Sequence, residues 1–147
     1  MTDIDLSGFT APGFNIIGSD YYHPFTGVFN GNGHAISNFV CKQPGSGLFG
    51  AVRGTDAKIR DLVLFDPNVG RMDPAHGRNI GALVGSLSEG RVVGCSVKDG
   101  LVVGYDYVGG LVGWNWKGRI ERCSFTGKVI GEVSIGGLTG DNYGINR

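Results

Sequence analysis

The chain has 147 residues, enough for one domain with its own core, and its 13 basic residues balance its 13 acidic ones. That balance argues against a nucleic-acid binder and gives no sign of electrostatic pull toward an anionic membrane. Glycine supplies 28 residues but proline only 5, the glycines keep no three-residue period, and 41% of the chain is apolar; collagen and a disordered glycine-rich linker are both excluded.

In chain order, the first clear pattern is Phe25-Thr-Gly-Val-Phe-Asn-Gly-Asn-Gly-His-Ala-Ile36, short apolar runs parted by Asn-Gly turns. Ile36-Ser-Asn-Phe39-Val-Cys41 and the degenerate Gly47-Leu-Phe-Gly50 follow. Next come Ile59-Arg-Asp-Leu62-Val-Leu64, a polar turn-rich stretch at 71–77, and Ile80-Gly-Ala-Leu-Val-Gly85. That glycine motif returns as Val108-Gly-Gly-Leu-Val-Gly113 and Ile135-Gly-Gly-Leu-Thr-Gly140. Between the copies stand Val92-Val-Gly-Cys95-Ser-Val97 and Ile120-Glu-Arg-Cys123-Ser-Phe125. The closing glycines Gly50, Gly85, Gly113 and Gly140 lie 35, 28 and 27 residues apart, and the longer first interval fits an insertion at 71–77.

No window carries sustained helical spacing, so each repeat reads as two or three short strands joined by Gly, Asn, Asp or Ser turns. A repeat of this length cannot bury an apolar face alone. Copies stacked about 4.8 Å apart give every strand a neighbour above and below and line equivalent side chains into columns. The expectation is an all-β fold, a right-handed parallel β-helix (β-solenoid) of glycine-rich repeats of about 27–35 residues. Residues 1–147 form a single solenoid, with leading coils over 1–44 and repeats over 45–147.

Three buried columns are predicted: Ile36, Ile59, Val92, Ile120; Phe39, Leu62, Cys95, Cys123; and Cys41, Leu64, Val97, Phe125. A fourth runs Val52, Leu87, Asn115, Asn142, where stacked asparagines can pair their amides. Strict alternation within the glycine motif would turn Leu83 outward, yet every copy has leucine there, which points to a bend. After Gly140 the spacing places the next Ile-x-x-Cys strand near position 147, so the last coil is expected to be incomplete and the chain a fragment.

Chemistry-bearing residues are sparse. Cys41, Cys95 and Cys123 form no CxxC pair and read as buried thiols. His23, His34 and His76 fall in loops without a nucleophile at fixed spacing. A glycosidase on this scaffold needs two carboxylates on neighbouring coils. Asp61 aligns with Gly94 and Arg122, Asp99 with Gly127, and Asp106 with Arg78 and Val133, so no stacked acidic pair is expected. No catalytic residues, metal ligands or cofactor are assigned. The candidate ligand-binding residues are Trp114, Trp116 and Tyr143: Trp116 and Tyr143 share a column, and Trp114 lies on the same side as Trp116. Tyr21-Tyr22-His23 is a second, weaker aromatic candidate.

The Gly-Gly-Leu-Val-Gly motif, followed by a turn and an Ile-x-x-Cys-x-Val strand, resembles the GLUG motif, most clearly over residues 80–140. Asp3-Ile-Asp-Leu-Ser-Gly8, Ile17-Gly18 and the stretch from Phe25 to Ile36 resemble the segment that precedes such repeats, where Asp often stands in place of Asn30. GLUG repeats occur in bacterial surface and secreted proteins, including non-catalytic regions of immunoglobulin A peptidases and adhesin-like proteins. The resemblance implies a β-solenoid, an extracellular or cell-surface setting and a multidomain parent. It therefore implies a non-catalytic structural or adhesive module. Its partners would be adjacent domains or repeats of the same parent chain, with a glycan or host surface protein as ligand, and neither nucleic acid nor membrane insertion. The alternative is a carbohydrate-active parallel β-helix, a polysaccharide lyase or glycosidase.

Overall fold

The computed structural model describes residues 2–9 and 15–147, so residue 1 and residues 10–14 of the leading segment lie outside the described residues. Among them there is no helix; seventeen strands stack as a parallel β-solenoid of about five turns. The first described strand is β1 (Ile4–Asp5). The next coil holds β2 (Val28–Asn30), β3 (Ala35–Ser37), β4 (Val40–Cys41) and β5 (Phe49–Arg53). Another holds β6 (Lys58–Arg60), β7 (Val63–Phe65), β8 (Asn68–Gly70), β9 (Arg78–Gly81) and β10 (Val84–Ser88). Then follow β11 (Arg91–Val93), β12 (Ser96–Val103), β13 (Asp106–Gly109) and β14 (Val112–Glu121), and last β15 (Ser124–Ile130), β16 (Val133–Gly136) and β17 (Thr139–Asn146). Every strand pairing is parallel, within two seven-stranded sheets and one three-stranded sheet.

The column of Ile59, Val92 and Ile120 forms as expected, each side chain at most 1% exposed. Its fourth member is Phe29, not Ile36. Ile36 pairs instead with Leu64, in a column that runs Ile4, Ile36, Leu64, Val97, Phe125. Cys41 belongs with Val69, Val102 and Val129. The copy at 36–41 is thus one strand later than its sequence likeness to 59–64 suggests. The two segments share one apolar spacing, Ile-x-x-Phe-x-Cys against Ile-x-x-Leu-x-Leu, although they occupy successive strands of the coil, so apolar spacing alone matched the wrong strands.

The interval of 35 residues also has two sources. The connection at 71–77 is five residues longer than its counterpart at 104–105, and 54–57 is two longer than 89–90. In the larger insertion Asp73 Oδ1 accepts the Ala75 amide at 2.9 Å, and Oδ2 meets His76 Nδ1 at 2.8 Å.

Corners are made by residues of left-handed backbone stacked coil upon coil. One corner holds Asp61, Gly94 and Arg122 (φ 54°, 62° and 51°), a second Asn38, Asp66 and Asp99 (59°, 51° and 55°), a third Asn79, Tyr107 and Ser134 (55°, 55° and 50°). Asn and Asp tolerate this conformation, whereas Arg and Tyr are strained in it by roughly 1–2 kcal/mol. Strand pairing on both sides of a corner holds such residues in place.

The glycine motif bends, as the recurring leucine implied. β9 ends at Gly81 and β10 begins at Val84, so Ala82 and Leu83 turn the corner and both are buried. The closing glycine packs its bare face on the backbone of the preceding coil: a Cβ at Gly113 would lie 2.5 Å from Ile80 N and 2.6 Å from Asn79 C. Glycine is needed here for close approach rather than for flexibility. At one end of the stack, Ile17 and Phe25 bridge to Phe49 and Val52, and Phe25 and Phe29 pack their rings on Phe49 at 5.1 and 5.4 Å.

Candidate functional site

The outward face of β5, β10, β14 and β17 carries two side-chain rows along the solenoid axis. One reads Arg53, Ser88, Trp116, Tyr143 and the other Ala51, Ser86, Trp114, Asp141. Trp114 and Trp116 flank buried Asn115 on one extended strand, so both project outward. Their rings stack 5.9 Å apart at 21°, and Tyr143 lies 5.6 Å from Trp116 at 54°. Trp116 is 40% and Tyr143 61% exposed. Lys117 Nζ stands 5.5 Å from the Trp116 ring centroid. The three residues named from sequence therefore form one aromatic patch across the two rows.

That patch opens into a cleft of about 370 Å³ whose walls include Asp20, Tyr21, Pro44, Arg53, Asn79 and Trp114. A smaller cleft of about 190 Å³ joins Tyr21, Arg53, Ser88, Glu89, Trp114 and Trp116. Tyr21, the weaker sequence candidate, thus sits against the stronger one. Arg53 was not singled out by its sequence. It lies at the end of its strand, its guanidinium 4.6 Å above the Tyr21 ring. Asp20 fixes the loop that carries Tyr21, accepting the amides of Tyr22 at 2.8 Å and His23 at 2.9 Å and facing His23 Nδ1 at 3.0 Å. Desolvation is the largest single influence and pushes its carboxyl up, but the His23 and Tyr22 bonds together hold it below the usual value.

The remaining chemistry-bearing groups lie elsewhere. His34 and His76 each meet an aspartate, Asp3 at 3.2 Å and Asp73 at 2.8 Å. The expectation that no acids stack is corrected: Asp66 and Asp99 share one corner on neighbouring coils, since Phe65 pairs with Lys98 and Asn68 with Leu101. Both are exposed and neither lines the two clefts. Both have left-handed backbones, which itself selects aspartate. Asp99 aligns with Thr126 rather than Gly127, because the β12–β15 register slips by one residue after Val97. Among the described residues no group of three His, Cys, Asp or Glu could hold a metal ion.

The fold and its repeat define a glycine-rich parallel β-solenoid carrying an aromatic surface patch. Residues 104–130 match the family model described as the GLUG motif, so that coil is a GLUG repeat. It is 33% identical over 104 residues to halomucin of Haloquadratum walsbyi, covering 69% of this chain and 1% of that protein. A crystal structure described as a candidate immunoglobulin A1 protease from Bacteroides ovatus shares the fold. Its TM-score is 0.65 at 18% identity, over 98% of this chain and 55% of that one. This chain therefore spans a small part of halomucin and about half of the solved protein.

Proposed function

We propose that this chain is a non-catalytic repeat module of a larger extracellular or cell-surface protein, and that Trp114, Trp116 and Tyr143 bind glycan. The setting is supported by the GLUG motif and by the likeness to the two proteins above. The binding role rests on one observation: a stacked aromatic patch, substantially exposed, beside a cleft. The exposed ring faces suit the C–H face of a pyranose. The carbohydrate-active alternative would need two carboxylates facing one cleft; the stacked Asp66 and Asp99 lie outside both clefts, and the carboxylate in the larger one, Asp20, is engaged by the Tyr22 and His23 amides.

A glycan array read with the intact chain and with a Trp116→Ala, Tyr143→Ala variant tests this. Binding should vanish in the variant while its melting temperature stays unchanged. A drop in melting temperature with binding retained would assign the rings to packing.

A further inference from the structure

We infer that the cleft beside the aromatic row is an anion subsite, and that its ligand is a saccharide bearing a carboxylate, with Arg53 as the residue that selects it. This rests on the glycan reading above and adds the ligand's chemical class.

Three observations carry it. First, the larger cleft has only two charged groups in its lining, Asp20 and Arg53. The Asp20 carboxylate is already engaged by two backbone amides and His23, whereas Arg53 forms no ion pair with any described residue. Second, Arg53 is held by its ring partner. Its Cζ lies 4.6 Å over the Tyr21 ring, a contact that leaves the guanidinium N–H donors available to a ligand. A planar fork of this kind matches a carboxylate with two parallel hydrogen bonds. Third, Arg53 occupies the same row as Trp116 and Tyr143, with Ser88 between. At about 4.8 Å per coil the row extends roughly 14 Å from Arg53 to Tyr143, so one oligosaccharide can rest on the rings and reach the guanidinium.

Glu89 in the smaller cleft is the opposing charge. It follows Ser88 at a corner of the coil and lines that smaller cleft together with Arg53. Its presence disfavours a ligand with many negative charges, so the ligand is a saccharide with a single acidic group at the cleft.

The test uses the intact chain on an array that pairs each neutral oligosaccharide with its uronate- or sialate-bearing, methyl-esterified and sulfated counterparts, with acidic peptides as a further arm. The intact chain should bind carboxylated glycans at least about tenfold more tightly than the neutral or esterified forms, as a charge-assisted hydrogen-bond pair implies. Arg53→Met, an exposed change, should erase that preference while leaving neutral-glycan binding and melting temperature as they were, and Arg53→Lys should keep part of it. Equal binding of neutral and carboxylated forms, or a preference that survives Arg53→Met, would overturn the subsite and leave the aromatic-row reading standing. Preference for sulfated glycans or for acidic peptides would overturn it as well. No glycan binding in any arm would overturn both readings.

Discussion

Asn115 Nδ2 donates to Asn142 Oδ1 at 2.8 Å across one coil boundary. The two residues are in register, and the column continues backward as Leu87 and Val52. A polar ladder thus replaces an apolar column in its last two steps. Asn115 is fully buried, its second donor bond goes to Gly118 O at 3.3 Å, and its Oδ1 has no partner among the described residues.

Removing the partner should therefore cost more than removing an exposed side chain does. Asn142→Ala leaves Asn115 with one long bond in a dry interior. A loss of about 1–3 kcal/mol is expected from thermal or urea unfolding, the cost of leaving a buried donor unmet. A change under about 0.5 kcal/mol, the range for ordinary surface substitutions, would show that the ladder adds nothing to stability.

The glycine motif makes a paired prediction. Gly113→Ala drives a Cβ into backbone atoms of Ile80 and Asn79, which no rotamer change relieves. It should destabilise by about 1–3 kcal/mol or prevent folding, as overpacked cores do. Gly137, from another copy of the motif, has nothing within 4 Å of an added Cβ. Gly137→Ala should stay within about 0.5 kcal/mol of the parent, as surface changes do. Equal effects in the two variants would show that the close approach at Gly113 is not what the motif conserves room for.

Cys95 and Cys123 are free thiols on adjacent coils. Each thiol faces backbone carbonyls, Cys95 Sγ that of Val93 at 3.6 Å and Cys123 Sγ that of Glu121 at 3.2 Å. The neighbouring Cys123 sulfur, and then burial, pushes Cys95 up, while the Cys95 sulfur holds Cys123 below the ordinary thiol value against its own burial. Reactivity follows the thiolate. Iodoacetamide at neutral pH should modify Cys123 first in the folded chain, with Cys95 and Cys41 reached only on unfolding. Peptide mapping by mass spectrometry reads the order, and early labelling of Cys95 would contradict it.

Acid should release the first strand before the core. Asp3 accepts the Ala35 amide at 2.9 Å and faces His34, and Asp5 accepts Asn38 Nδ2 at 2.8 Å. For Asp3 the Ala35 bond leads, and for Asp5 the Asn38 bond, in holding each carboxyl below its ordinary 3.8. A depressed carboxylate stabilises the docked form above its unfolded value and loses that stabilisation as pH falls through the lower folded value. The Ile4 and Leu6 methyl resonances should move to unpaired positions as pH falls below the ordinary aspartate range, while Val92 stays native. An Asp3→Asn, Asp5→Asn variant should lack that pH dependence.

Much of the molecule was legible because stacking at constant spacing writes its period into the chain. From Ile59 onward, coils of 28 and 33 residues keep equivalent positions in step, so the Ile59–Val92–Ile120 column, the Asn115–Asn142 pair and the Trp116–Tyr143 pair follow from counting. Leu83 in every motif copy likewise signalled a bend. Counting failed where successive strands share one spacing: the segment 36–41 looks like 59–64 but lies one strand later, which moved Ile36 and Cys41 into other columns, and a one-residue slip hid the alignment of Asp99. Corner residues such as Arg122 and Tyr107 escaped because pairing with neighbouring coils, not intrinsic preference, holds their left-handed backbones. The meeting of Tyr21 and Arg53 with Trp114 was settled by tertiary structure alone. The loop fixed by Asp20 lies outside the repeat, so no periodicity records where it folds back over the solenoid face.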